Sequence, residues 1–145
     1  MKLMSAELAA AVVIGAFAAS SAAAQDKLKV GIITTLTVSA GAVPGQQQRN
    51  GFQLGVKHLG GKLGGREVEV VVQDDELKPD LAVTKVKAMI ERDKVDFVVG
   101  PIFSNILGAI IKPVTDQDVI LVSPNAGTSS FAGKDCNKNL FVTSY

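Results

Sequence analysis

The chain has 145 residues, 47% of them apolar, with 15 Lys and Arg against 14 Asp and Glu. That suffices for one hydrophobic core and is short for two ordinary domains. A formal net charge of +1, with both signs spread through the chain after residue 25, excludes the basic stripe that a nucleic-acid binder needs. Aromatic residues make up 5% and Trp is absent, which excludes a stacking platform, and the single cysteine, Cys136, excludes a disulfide framework.

The first 24 residues stand apart. Lys2 supplies a positive charge and Leu8 to Ala19 form an apolar run. Ala22-Ala23-Ala24 then gives the small residues of a cleavage site before Gln25-Asp26. This is the pattern of a secretory signal peptide cut after Ala24. A membrane span needs about 20 apolar residues, more than this run contains. The expected mature chain is residues 25–145, exported and soluble.

Leu28 to Ile33 is β-branched and apolar, and predicts a buried strand. Gly41, Pro44 and Gly45 predict a loop. Phe52, Val56 and Leu59 recur at helical spacing and predict an amphipathic helix over 46–59, stopped by Gly60-Gly61. After a turn at Gly64-Gly65, the alternating Val68, Val70 and Val72 predict a strand ending at Asp74-Asp75. Pro79 opens a second helix, whose stripe is Ala82, Val86, Met89 and Ile90. Phe97-Val98-Val99 predicts a third strand, closed by Gly100-Pro101. A third helix is expected over 104–118, with Ser104 or Asn105 as its N-cap and Pro113 kinking or shortening it. Ile120-Leu121-Val122 predicts a fourth strand, Asn125 to Asn139 a loop, and Leu140-Phe141-Val142 the start of a fifth strand. Alternating strands and helices define the fold class: α/β, a doubly wound, mainly parallel sheet with helices on both faces.

In such sheets ligands bind beyond the carboxyl ends of the strands. Three loops there are rich in hydroxyls and glycine: Thr34–Thr37, Gly100–Asn105 and Ser123–Ser129. The second leads into a helix N-terminus, whose N–H groups and dipole favour an anion. A small carboxylate suits this set. The plainer reading of each loop alone is capping and turn chemistry.

An exported enzyme is the weaker alternative. His58 is the only histidine and reads as a surface or partly buried helix residue. No nucleophile elbow and no phosphate-binding loop occurs. Asp74, Asp75 and Glu76 could bind a cation, but a solvated strand end is the plainer account. Cys136 is either free or paired outside this chain. Neither a metal nor another cofactor is expected.

The ordered set Val30-Gly31-Ile32-Ile33-Thr34-Thr35-Leu36-Thr37, Gly51-Phe52-Gln53-Leu54-Gly55-Val56, Gly64-Gly65-Arg66-Glu67-Val68-Glu69-Val70, Asp74-Asp75-Glu76-Leu77-Lys78-Pro79, Val98-Val99-Gly100-Pro101-Ile102-Phe103-Ser104-Asn105 and Leu121-Val122-Ser123-Pro124-Asn125-Ala126-Gly127 resembles the leucine/isoleucine/valine-binding protein family. These are the type I periplasmic solute-binding proteins of ABC importers. The resemblance implies a two-lobed, non-catalytic receptor that closes on its ligand and delivers it to a membrane permease. Residues 25–145 would be a partial N-terminal lobe. It implies ligand contacts from Ser104, from Asn125, Ala126, Gly127 and Thr128, and from Asn105 by its position. Branched-chain amino acids are the default ligand, with aromatic acids and small amides as rivals. The same fold also serves as the sensing lobe of receptors and regulators. The first loop departs from the pattern at Val38 and Ser39, where a glycine is usual, and no cysteine stands near Glu76 or Phe103, where some members have a disulfide.

Overall fold

The computed structural model describes residues 27–127 and 129–143. The expected signal peptide and Thr128 lie outside the described residues. In chain order the elements are β1 (Leu28–Thr34), α1 (Ser39–His58), β2 (Lys62–Leu63), β3 (Arg66–Asp74), α2 (Pro79–Glu91), β4 (Phe97–Val99), α3 (Ser104–Thr115), β5 (Ile120–Ser123), a 3-10 turn (Ser129–Ala132) and β6 (Leu140–Val142). They build one six-stranded sheet in the order β2-β3-β1-β4-β5-β6. Every pairing is parallel except the β2–β3 hairpin.

Strand alternation decides which helix covers which face. A side chain at Gly31 would meet Met89 Sδ of α2 at 2.8 Å, so Gly31 and Ile33 face α2. Val30, Ile32 and Thr34 then face α1, which packs on β1 and β2. On the α2–α3 side Ile33, Val86, Met89, Val98, Ile110 and Leu121 are wholly buried in one cluster. Each such side chain contributes about 1.5–3 kcal/mol through the apolar area it removes from water. The doubly wound class follows, with helices on both faces.

Four local expectations are corrected. The first helix begins at Ser39, not Gln46, and runs through Pro44. The reason is tertiary: Gly41 and Gly45 let the helix backbone lie directly on Thr35, and a Cβ at Gly45 would strike the Thr35 carbonyl. Leu59, expected on the buried stripe, is the C-cap and is exposed. The two-residue strand β2 pairs with β3 across the Gly64-Gly65 turn. The third helix stops at Thr115 rather than Asp118. Pro113 has no N–H to give to the preceding turn, and the chain leaves the helix two residues later.

Candidate functional site

All five parallel strands end at the same edge of the sheet, and their order creates a crevice there. From β1 the chain crosses to β3 on one side and then to β4 on the other. Loops leaving β1 and β4 therefore diverge, which is the switch-point position at which open α/β sheets bind ligands. The β5 loop borders it.

The β1 loop is held by two carboxylates from the end of β3. Asp75 Oδ1 accepts from the Thr35 hydroxyl at 2.6 Å and from Leu77 N at 2.8 Å. Asp74 Oδ1 accepts from Leu36 N and Glu76 N, both at 2.9 Å, and its Oδ2 accepts from the Thr37 hydroxyl at 2.6 Å. Burial alone would raise the Asp74 carboxyl, but the hydrogen bonds from Thr37, Leu36 and Glu76 outweigh it and hold it below the usual carboxylate range. Asp75 is wholly buried. This corrects the expectation of a solvated strand end. The pair is a clamp between two loops: both Asp74 oxygens and Asp75 Oδ1 are engaged, while Asp75 Oδ2 is buried without a hydrogen-bond partner among the described residues.

The β4 loop turns at Gly100, where φ is 122° and a Cβ would strike the Ile33 carbonyl. The position therefore requires glycine. Gly100 N donates to the Val122 carbonyl at 2.9 Å, and the Gly100–Pro101 bond is cis. Phe103, not Ser104 or Asn105, occupies the N-cap of α3, and no side chain caps the helix. No acidic residue lies in its first turn. The N–H groups of that turn lack intrahelical acceptors, and the helix dipole adds to their pull on an anion. Ser104, as the first helical residue, turns its hydroxyl away from capping and donates to the Gly127 carbonyl at 3.2 Å.

The β5 loop is tied in from its own side. Asn125 Nδ2 donates to the Ile102 carbonyl at 2.9 Å, and the buried Ser123 hydroxyl donates to the Ala126 carbonyl. The structure thus brings Ser104, Asn125, Ala126 and Gly127 together where the β4 and β5 loops meet. Their roles differ. Ala126 is only 2% exposed as a whole residue, lies in the core cluster and has its carbonyl engaged by Ser123, so it is packed into the wall rather than presented to a ligand. Asn125 is a strut between the loops. Asn105 is exposed on the first turn of α3. Sequence reasoning missed the Asp74–Asp75 clamp, although adjacent carboxylates ending a strand beside a hydroxyl-rich loop are a usable signal.

Two other residues of the enzyme alternative lie elsewhere. His58 ends α1 and Cys136 precedes β6, which puts both toward the opposite edge of the sheet. Each is exposed, and Cys136 is a free thiol. Among the described residues no three His, Cys, Asp or Glu side chains are grouped to hold a metal ion.

A doubly wound, mainly parallel α/β sheet with its switch point between β1 and β4 defines the class, the fold of type I periplasmic binding proteins. The chain belongs to the periplasmic binding protein family, whose profile matches residues 27–145. No curated protein sequence matches it significantly. Among solved structures it is similar to an ABC transporter substrate-binding protein from Sphaerobacter thermophilus, with 27% identity, a TM-score of 0.78, and coverage of 83% of this chain and 33% of that one. It is similar to the branched-chain amino acid transporter substrate binding protein LivJ from Streptococcus pneumoniae, solved with isoleucine, with 27% identity, a TM-score of 0.73, and coverage of 81% and 33%. It is also similar to an R. palustris ABC transporter solute binding protein in complex with benzoate, with 31% identity, a TM-score of 0.76, and coverage of 81% and 32%. The chain spans about a third of the length of these relatives.

Proposed function

We propose that residues 25–145 form a partial N-terminal lobe of the periplasmic substrate-binding component of an ABC importer, exported by a signal peptide over residues 1–24. Its ligand is a branched-chain amino acid or a related small carboxylate such as an aromatic acid, and a membrane permease receives it. The observation that carries this reading is the uncapped N-terminus of α3, held against the β5 loop by the Ser104–Gly127 hydrogen bond. The N–H groups of Ser104, Asn105 and Gly127 form a set of neutral donors for a carboxylate, the Ser104 hydroxyl can join them only by giving up its bond to the Gly127 carbonyl, and Thr128 extends the set in sequence. Binding without catalysis matches the relatives, which were solved in complex with isoleucine, benzoate, 4-hydroxybenzoate and 3,4-dihydroxybenzoic acid.

Energetics limit what one lobe can do. Three charge-assisted hydrogen bonds at about 1.5–3 kcal/mol each give roughly 5–9 kcal/mol gross. Lost translational and rotational freedom costs about 4–15 kcal/mol. The chain alone therefore binds at about millimolar strength or weaker, near −4 kcal/mol. A thermal-shift panel on the full-length protein, with both lobes, tests the reading. At about ten times its Kd, one of leucine, isoleucine, benzoate or 4-hydroxybenzoate should stabilise it by about 1.4 kcal/mol, a rise of a few degrees in Tm. No shift with any carboxylate contradicts the reading.

A further inference from the structure

We propose that Phe103 is a positioning residue of the crevice: its ring, seated against α1 and the end of β1, fixes how the first turn of α3 presents its N–H groups, on the reading of that turn as the carboxylate site. Phe103 is the N-cap of α3, with extended backbone at φ −107° and ψ 140°. Its carbonyl accepts the first intrahelical bond, from Leu107 N at 3.0 Å. An N-cap ordinarily secures a helix start through a side-chain oxygen, and Phe103 has none. What it has instead is a ring that leaves the helix toward α1. A Cβ built on Gly41 would lie 2.8 Å from Phe103 Cε2 and 2.7 Å from Thr35 Cγ2. The ring edge and the Thr35 methyl therefore rest together on the bare backbone of α1.

Thr35 makes this seat firm. It is wholly buried, its hydroxyl donates to Asp75 Oδ1 at 2.6 Å, and its carbonyl lies against Gly45, one turn further along α1. Phe103 also packs on the core cluster. The first turn of α3 is thus held from two directions, by the Phe103 ring toward β1 and α1 and by the Ser104 hydroxyl toward the β5 loop. Donors bind an anion well when they are already aimed, because ordering them on binding is subtracted from the affinity. A packed aromatic is a stiff support, with a large contact area and few torsions to freeze.

Amide-resolved NMR of the chain tests this with single variants. Phe103→Leu takes the ring edge off Gly41, and Gly41→Ala crowds the same contact from the α1 side. Phe131→Leu and Gly51→Ala are the controls. Phe131 is a partly buried ring on the same core, but beside Gly108 of α3, and Gly51 faces open space on α1. Without ligand, Phe103→Leu and Gly41→Ala should each speed exchange of the Leu107 amide by about tenfold relative to the Ile111 amide, with that ratio unchanged in the controls. Titrated with benzoate, both should bind about fivefold more weakly than the parent, and the controls within about twofold of it. A Phe103 that only fills space would lower stability and match Phe131→Leu in both readouts, and that result overturns the proposal. So does an unchanged Leu107 ratio in Phe103→Leu. Where Gly41→Ala does not fold, Phe103→Leu against Phe131→Leu decides alone. If the parent binds neither benzoate nor leucine, the carboxylate reading fails separately, and the Leu107 ratio still decides whether the ring holds the helix start.

Discussion

Ser104 donates its hydroxyl to the Gly127 carbonyl at 3.2 Å, across 23 residues of sequence. This one bond sets the first turn of α3 against the loop after β5, so the N–H groups of that turn and the Gly127 backbone lie side by side. The hydroxyl can also swing to a ligand oxygen, because a serine rotor serves as donor or acceptor.

Replacing Ser104 by Ala should cost less than about 1 kcal/mol of stability, since one neutral hydrogen bond at a partly buried position is lost. Carboxylate affinity should fall by about tenfold or more, because the bond lost there is charge-assisted. Calorimetry in a version carrying both lobes, beside urea unfolding, separates the two effects.

The Asp74 clamp makes stability pH-dependent. Its folded-state carboxyl lies below the ordinary value of 3.8, through the hydrogen bonds from Thr37, Leu36 and Glu76 that outweigh burial. The unfolded chain therefore takes up the proton first. The contribution is complete above the unfolded value, and it is lost as pH falls through the lower folded one. Urea midpoints measured between about pH 5 and pH 2 should drop more steeply in the parent chain than in Asp74→Asn. At neutral pH Asp74→Ala should cost about 2–3 kcal/mol, since three donors lose a charged acceptor.

Two glycines of α1 should respond with opposite signs. Gly45→Ala drives a Cβ into the Thr35 carbonyl, and should destabilise by about 3 kcal/mol as the helix is pushed off the strand. Gly51 faces open space within the same helix, and Gly51→Ala should stabilise by up to about 1 kcal/mol through helix propensity. Guanidinium unfolding of the pair checks both signs in one experiment.

That contrast shows what the residues alone could reveal. Val30-Gly31-Ile32-Ile33 and Ile120-Leu121-Val122 declare their strands by composition, and Ala82, Val86 and Met89 declare a helix face by spacing. Gly41, Pro44 and Gly45 have the composition of a loop, yet they are helical. What decides them is the close packing of Gly41 and Gly45 on Thr35, a three-dimensional contact that composition does not express. Ser104 was legible as a residue of the crevice but not in its role, because a one-residue shift of the helix start moves it from cap to first turn. The partners of Asp74 and Asp75 sit on the neighbouring strand's loop, 37–40 residues away, so the clamp was invisible without the strand register.

The pairing of Asn125 with the Ile102 carbonyl is the second tie across the crevice wall. Asn125→Ala should cost about 1 kcal/mol, and it should loosen the β5 loop, seen as faster amide exchange at Ala126 and Gly127 with the exchange of β1 unchanged.

The account is tested most directly by an amide-resolved NMR titration of the chain with benzoate and, separately, with benzamide, its uncharged counterpart. Benzoate at millimolar concentrations should shift the amide signals of Ser104, Asn105 and Gly127, and benzamide should leave them in place. Identical responses to the two compounds, or benzoate shifts confined to surfaces away from the α3 N-terminus, would contradict a carboxylate site at the strand tips.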